Sequence, residues 1–182
     1  MAEIKEPQKV LPVVGLLFTP AFDIEVCAKL ESILGKVVLE SETMPFNHTE
    51  YYGQEMGDRL VRQWRAFDRL IIPDTLADLK RRTIEIEKKH LNQNGGRTVN
   101  IDPGSVSLSN LILASTKNYS HRIYLGKGIY AEVTLIYKQK NFVPLDWTYP
   151  DYREENALDF FTKAREILKN KLTTYGSNVS KE

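Results

Sequence analysis

The order of apolar segments in the first half of the chain constrains the fold most. Residues 13–18 form a short, continuous apolar run, which is typical of a buried strand. Residues 22–34 carry apolar side chains at helical spacing and are followed by Gly35, a residue suited to end a helix. Residues 36–43 alternate enough to predict a second strand. The chain therefore begins with a strand, a helix and a strand.

The following segments predict a strand, a helix and a strand. Residues 61–72 fit a helix or a strand, and their apolar end before Pro73 favours a strand. Residues 74–91 predict an amphipathic helix with Lys80 on its exposed side. Residues 97–104 predict a strand that ends in an Asp-Pro-Gly turn. The order β-α-β-β-α-β is that of the ferredoxin-like arrangement, whose two helices cover one face of a mostly antiparallel sheet.

The C-terminal half predicts more strands and one helix. Residues 106–114 predict a strand, and "HRIYLGKGIYAEVTLIY" (121–137) predicts a β-hairpin. Apolar residues at helical spacing predict a helix over 154–172. We expect a single α+β domain with, in order, a ferredoxin-like core (10–103), a β extension (104–150), a terminal helix (151–172) and a disordered tail (173–182).

The hairpin has a distinctive distribution of side chains. If 126–128 form its loop, Arg122 faces Glu132 and Tyr124 faces Tyr130. The same register pairs Ile123 with Ala131 and Leu125 with Ile129. One face of the hairpin is then apolar, whereas the other carries charges and phenols.

Composition excludes several classes of protein. The formal net charge of the 182 residues is +1 without a basic half, so nucleic acid is not an expected partner. The apolar stretch near the N-terminus carries Glu3 and Glu6, unlike a signal peptide, and no run is long enough to cross a bilayer. The only cysteine is Cys27, which allows no internal disulfide and suits the reducing cytoplasm. We expect a cytoplasmic protein with no membrane contact.

The polar faces of two predicted strands indicate a site. Asn100 and Asp102 alternate with aliphatic residues, as do Arg122 and Glu132 in the hairpin, and Lys117 precedes the hairpin. We expect these five side chains to line one concavity, roofed in part by the glycine-punctuated loop 50–57.

The candidate roles follow from the chemistry of these side chains. Candidate catalytic groups are Glu132, Asp102 and His121, and candidate ligand-binding groups are Asn100, Lys117, Arg122, Tyr124, Tyr130 and Glu55. Asp102 and Glu132 could also hold a divalent metal such as Mg²⁺, whereas one cysteine argues against zinc. His121 shares the parity of the aliphatic hairpin residues, which favours a hydrogen-bonded histidine at the core edge.

Two readings of the Arg122–Glu132 pair remain open. A functional Glu132 predicts that Glu132→Gln abolishes binding of a ligand or metal without changing the melting temperature. A structural pair predicts either a weak surface interaction or, if it is buried, a large loss of stability from the same substitution.

Four motifs resemble one known family. The stretches "EYYGQEMG", "VNIDPG", "LASTKNYSHRIYLGKGIYAEVTLIY" and "WTYPDYR" resemble the bacterial domain-of-unknown-function family DUF4416 over nearly the whole chain. The resemblance implies no activity, although some relatives carry a GTP-binding label. That family tends to have Thr-Asn where this chain has Thr83-Ile84, which puts any polar role of the second position in doubt. The chain lacks the G-x-x-x-x-G-K-[ST] loop, so we expect no GTPase mechanism, whereas another kind of nucleotide binding stays open.

The leading hypothesis is a protein that binds a small anionic ligand bearing phosphate or carboxylate, such as a nucleotide. Whether the protein also acts on this ligand stays open, as does its oligomeric state. The alternatives are an RNA-binding module, since ferredoxin-like sheets can stack bases on aromatic strands, and an interaction protein without catalysis. Against the RNA alternative, the predicted strands lack the aromatic pattern of such modules.

Overall fold

The computed structural model describes residues 3–19, 24–48, 52–57 and 59–179, and within these ranges the protein is a mixed α+β structure built on one nine-stranded antiparallel sheet. The strands are β1 (Leu11–Phe18), β2 (Val37–Glu40), β3 (Met44–Pro45), β4 (Val61–Phe67), β5 (Val99–Val106), β6 (Asn110–Ser115), β7 (Ile123–Gly126), β8 (Ile129–Lys138) and β9 (Asn141–Pro144). The helices are α1 (Ile24–Leu34), the short α2 (Gly53–Met56), α3 (Leu76–Glu87) and α4 (Glu155–Val179). The strand order is β2-β4-β1-β5-β6-β8-β7, with β3 also paired to β4 and β9 to β8.

One face of the sheet is covered by α1 and α3. The central strand β1 is buried along its whole length, and its residues Val14 and Leu16 point to this face. Leu30 of α1 and Leu79 of α3 pack into the same apolar cluster. The prediction that the two helices share a face is therefore confirmed. The helix described begins at Ile24, and the preceding residues 20–23 of the predicted segment lie outside the described residues.

The opposite face is covered in part by α4. Strand alternation turns Leu11 and Val13 of β1 toward this face, where Trp64 of β4 joins them. Phe160 and Phe161 of α4 pack on Trp64, with ring centroids 6.3 and 6.0 Å away. The helix continues to Val179, past the end predicted at residue 172, so the predicted disordered tail is helical as far as Val179.

The predicted Asp-Pro-Gly turn is wrong. Asp102, Pro103 and Gly104 lie inside β5, and the turn to β6 comes at 107–109. The backbone N–H of Ile101 points away from β1 toward α3, and alternation gives Pro103 the same orientation. Because β6 pairs with β5 only from Gly104 onward, the missing N–H of Pro103 breaks no ladder hydrogen bond there.

The hairpin register is confirmed in its body and wrong at its tip. Tyr124 pairs with Tyr130 as predicted, and Ile123 with Ala131. Gly126, rather than Leu125, pairs with Ile129, because the turn is shorter and the register shifts next to it. Lys127 and Gly128 both have positive φ angles, the conformation of a two-residue hairpin turn.

Candidate functional site

The sheet opens between β5 and β6. β1 pairs with β5 from Val99 to Val106, whereas the pairing of β5 with β6 covers only Gly104 to Val106. The remainder of β6 pairs with β8 on its other side. The first half of β5 therefore has a row of backbone groups that β6 does not reach.

Two charged side chains of α3 satisfy that backbone. Lys80 Nζ donates to the carbonyl oxygen of Ile101 at 2.8 Å, and Glu87 Oε1 accepts from the amide of Ile101 at 2.6 Å. Both side chains are buried, because α3 packs over the opening. The prediction that Lys80 lies on an exposed helix surface is wrong: it follows Leu76 by one helical turn and shares its buried side.

The opening leads into a cavity of about 630 Å³, a size typical of small-molecule sites. It extends from β4 to β8 and is bounded by residues near α2 and by the segment before α4. Its lining contains charged and aromatic side chains: Phe46, His48, Tyr52, Arg62, Lys80, Glu87, Arg97, Asn100, Asp102, Lys117, Arg122, Glu132, Tyr149, Asp151 and Tyr152.

Arg62 is the cation at the β4 end of the cavity. Its guanidinium lies between the rings of Phe46 and Tyr152, with centroids 5.2 and 5.7 Å from Cζ, and the residue is only 5% exposed. Nε lies 2.8 Å from Asp151 Oδ2, and Nη1 lies 3.9 Å from Asp102 Oδ2. Neither nitrogen forms an aligned hydrogen bond with any described residue. Arg62 therefore keeps unused donor capacity inside a buried site.

Arg122, at the β8 end, has most of its donors occupied. Its Nε and Nη2 each lie 2.8 Å from Glu132 Oε2. Nη1 donates to Ser115 Oγ and to the carbonyl oxygen of Lys117, and Nη2 also donates to Tyr149 Oη at 2.7 Å. Four of the five N–H groups of this guanidinium donate hydrogen bonds and the fifth lies beside Glu132, so Arg122 has little donor capacity left for a ligand. Arg122 organises this wall of the cavity instead.

Glu132 is a structural partner of that arginine. Its side chain is 2% exposed, and besides Arg122 it bonds His121 Nε2 at 3.0 Å and Thr134 Oγ1 at 3.3 Å. His121 in turn stacks on Trp147, with ring centroids 5.2 Å apart. This burial favours the structural reading of the Arg122–Glu132 pair, so substitution of Glu132 is expected to reduce stability.

Asp102 is the carboxylate most open to the cavity. Its side chain is 28% exposed. Oδ1 accepts a hydrogen bond from Lys80 Nζ at 3.3 Å, and Oδ2 accepts one from Asn100 Nδ2 at 2.8 Å. Each carboxylate oxygen can accept two hydrogen bonds, so both oxygens retain a lone pair for a ligand. Because Asp102 also faces Arg62, it lies at the centre of the charged lining.

A short lid, residues 52–57 with α2, borders the cavity through Tyr52. Tyr52 lines the cavity, and burial raises its pKa above the ordinary value for a phenol. Glu55 accepts two hydrogen bonds from Arg97, at 2.6 and 2.9 Å, which hold the pKa of this carboxyl below its usual value. Arg97 Nη1 also bonds Glu87 (3.1 Å) and Asn100 (2.8 Å), so it ties the lid to β5 and α3.

Two buried acids have raised pKa values. Burial raises the pKa of Glu87, although Lys80 and the amide of Ile101 oppose the shift. Burial likewise raises the pKa of Asp151, against the attraction of Arg62. Acids with raised pKa values are common in functional cavities, because the site removes water from them.

The structure brings together the five side chains predicted to share a concavity: Asn100, Asp102, Lys117, Arg122 and Glu132 all line the cavity. The other candidates lie elsewhere among the described contacts. Tyr124 and Tyr130 contact each other on the hairpin. His121 forms a hydrogen bond with Glu132, and Glu55 forms one with Arg97. Residues 50 and 51 of the predicted roof lie outside the described residues.

Sequence reasoning missed Arg62, Lys80 and Arg97. A signal for Arg62 was present, since in β4 it shares the parity of Trp64 and Ala66, which are fully buried. An arginine at such a position needs a partner or a ligand. Arg97 begins the predicted strand 97–104 and shares the parity of its aliphatic residues Val99 and Ile101, so alternation gave no sign that its side chain faces the site.

The described residues were expected to offer at most a metal site and no membrane span. No group of three or more His, Cys, Asp or Glu side chains is placed to bind a metal ion in this part of the chain. None of the described helices combines the length and apolarity of a membrane span.

Comparison with known proteins gives one family. The profile described as "Domain of unknown function (DUF4416)" matches residues 8–168, nearly the whole chain, which confirms the predicted resemblance. Neither curated proteins nor solved structures gave a significant match. Any function of the cavity is therefore inferred from its own side chains.

Proposed function

This chain belongs to the DUF4416 family, and we propose that its cavity binds a small anionic ligand, with Arg62 as the anchor. The single observation that carries the proposal is the unused Nη1 donor of Arg62 inside the cavity lining. A buried donor without an acceptor costs free energy, and a phosphate or carboxylate oxygen would supply the missing acceptor.

The neighbours of Arg62 support this role. Phe46 and Tyr152 hold the guanidinium between their rings, and β1 has Gly15 beneath it, where a methyl group would lie 3.3 Å from Nη1. Lys80 and Lys117 add positive charge to the same lining. A preorganised cation in a site with little water binds an anion more strongly than an exposed one.

The packing of α4 argues against the RNA-binding alternative. Bases would stack on the sheet face opposite α1 and α3, and α4 covers part of that face with Phe160 and Phe161. We also infer a ferredoxin-like core for residues 10–103, supported by the strand order β2-β4-β1-β5 with α1 before β2 and α3 before β5. A cytoplasmic location stays a prediction.

The proposal is tested by isothermal titration calorimetry with inorganic phosphate. Arg62→Lys retains the charge but loses the planar donor array, so we expect its affinity to fall roughly tenfold to hundredfold, the equivalent of about 1.5–3 kcal/mol for a hydrogen bond to a charged group. The matched control is Arg81→Lys, on the exposed surface of α3, which should bind as the wild type does.

A second variant tests the same site if Arg62→Lys fails to fold. Lys117 is exposed at the cavity rim, so Lys117→Gln should fold normally and bind phosphate a few-fold more weakly. Wild-type protein that binds no phosphate, sulfate or acetate, or an Arg62→Lys protein that binds them as the wild type does, would contradict the proposal.

A further inference from the structure

The charges lining the cavity occur in pairs. Four carboxylates each contact a cation: Asp151 with Arg62 (2.8 Å), Asp102 with Lys80 (3.3 Å), Glu87 with Arg97 (3.1 Å) and Glu132 with Arg122 (2.8 Å). The described lining contains five Lys and Arg side chains against these four carboxylates, which gives it a formal charge of +1. Such a lining accepts one anionic group, whereas a second would lie against the carboxylates.

The cavity is longer than one anionic group requires. Arg62 lies on β4 and Glu132 on β8, with β1, β5 and β6 between them in the sheet. Neighbouring strands are about 4.8 Å apart, so the lining spans on the order of 15–20 Å. A phosphate at Arg62 would leave the middle of the cavity, next to Asp102, for the rest of the ligand.

The middle of the cavity favours hydrogen-bond donors. The two free lone pairs of Asp102 can accept from hydroxyl groups, and Asn100 lies beside it on β5. A hydroxylated ligand satisfies these acceptors, whereas an alkyl chain leaves them without water or partner. An anionic group there would be repelled by Asp102.

We propose that the ligand is a polyhydroxylated molecule with a single anionic group, such as a sugar phosphate or a nucleoside monophosphate, bound with that group at Arg62 and its hydroxyl groups at Asp102. This inference rests on the proposed anion site and adds the chemical class of the ligand. Ribose 5-phosphate and adenosine monophosphate share this chemistry, since both carry one phosphate and ribose hydroxyls.

The test compares ligands that differ only in the relevant group. Calorimetry at fixed pH and ionic strength measures the affinity of glycerol 3-phosphate, of propyl phosphate, which lacks the hydroxyls, and of glycerol 1,3-bisphosphate. We expect glycerol 3-phosphate to bind roughly tenfold more tightly than propyl phosphate, and the bisphosphate to bind more weakly than glycerol 3-phosphate. Ribose 5-phosphate and adenosine monophosphate, titrated in parallel, should each bind more tightly than propyl phosphate. The tighter binder of the two indicates whether the ligand is a sugar phosphate or a nucleoside monophosphate.

A variant of Asp102 separates ligand contact from support of the fold. Asp102→Asn removes the negative charge next to Arg62, so propyl phosphate should bind more tightly to the variant than to the wild type. The advantage of glycerol 3-phosphate over propyl phosphate should shrink in the same variant, because a charged acceptor of its hydroxyls is lost. A merely structural Asp102 would change both affinities in the same direction and leave their ratio unchanged.

The outcomes distinguish this inference from the proposed function. Equal binding of glycerol 3-phosphate and propyl phosphate, tighter binding of the bisphosphate, or an unchanged ratio in Asp102→Asn would overturn the inference and leave the anion site in place. Absence of binding by all phosphates, inorganic phosphate included, would overturn the anion site and the inference together.

Discussion

Replacing Glu132 with glutamine should destabilise the protein strongly. The carboxylate is 2% exposed, and the Arg122 side chain that contacts it is 3% exposed. The glutamine amide oxygen can still accept a hydrogen bond, but it supplies no charge to Arg122. Removing one partner of a buried ion pair costs about 3–5 kcal/mol, because the other charge stays buried without compensation.

The contacts of Arg122 place this substitution near the lower end of that range. The guanidinium keeps its hydrogen bonds to Tyr149, to Ser115 and to the Lys117 carbonyl oxygen. We therefore expect Glu132→Gln to lower the free energy of unfolding by about 3 kcal/mol, which in a chain of this length lowers the melting temperature by about 6–12 °C.

Urea unfolding followed by circular dichroism measures the change directly, and Glu85→Gln is the matched control. Glu85 lies on the exposed surface of α3 and pairs with Lys88, also exposed, so this substitution should leave the melting temperature almost unchanged. If Glu132→Gln proved as stable as the wild type, the structural role assigned to the Arg122–Glu132 pair would be refuted.

Three further predictions concern Glu55, Gly15 and Glu87. Glu55→Gln should speed amide hydrogen exchange in residues 52–57, because Arg97 loses its charged partner there, and exchange at the wild-type rate would contradict the role of the Glu55–Arg97 pair in holding the lid. Gly15→Ala should lower the melting temperature by several degrees in a thermal scan, because the new methyl group would collide with the Tyr152 hydroxyl, and an unchanged value would show that the ring moves freely. The raised pKa of Glu87 means that the folded chain holds a proton that the unfolded chain loses above about pH 4.5, so this acid lowers stability as pH rises toward its folded pKa. Urea unfolding from pH 4.5 to 7.5 should show that decline in the wild type relative to Glu87→Gln, and parallel curves would contradict it.

The sequence predicts the parts of the fold that depend on periodicity. Leu30 and Leu79 belong to apolar stripes of two helices, and right-handed crossovers place both helices on the same side of β1. Alternation in β5 and in the hairpin correctly turned Asn100, Asp102 and Glu132 toward one cavity. These features follow from rules that act over a few neighbouring residues.

The remaining features depend on contacts between distant segments. The sequence places Pro103 in a turn, because it does not show that β6 pairs with β5 only from Gly104 onward. Lys80 reads as exposed unless its acceptor, the Ile101 carbonyl oxygen at the opening in the sheet, is known. The number of donors that Arg122 uses depends on Ser115 and Tyr149, which lie outside the hairpin. Sequence periodicity does not indicate such partners.

The central claim is that Arg62 uses its unoccupied donors to hold an anion. Nuclear magnetic resonance of protein labelled with ¹⁵N in its arginine guanidinium groups observes these donors directly, and the Arg62→Lys spectrum assigns the Arg62 signals by their absence. The account predicts that addition of inorganic phosphate shifts the Arg62 Nε and Nη signals in a saturable manner, while the signals of Arg122, whose donors are mostly occupied, change little. Arg62 signals that stay in place while phosphate binds elsewhere would contradict the account.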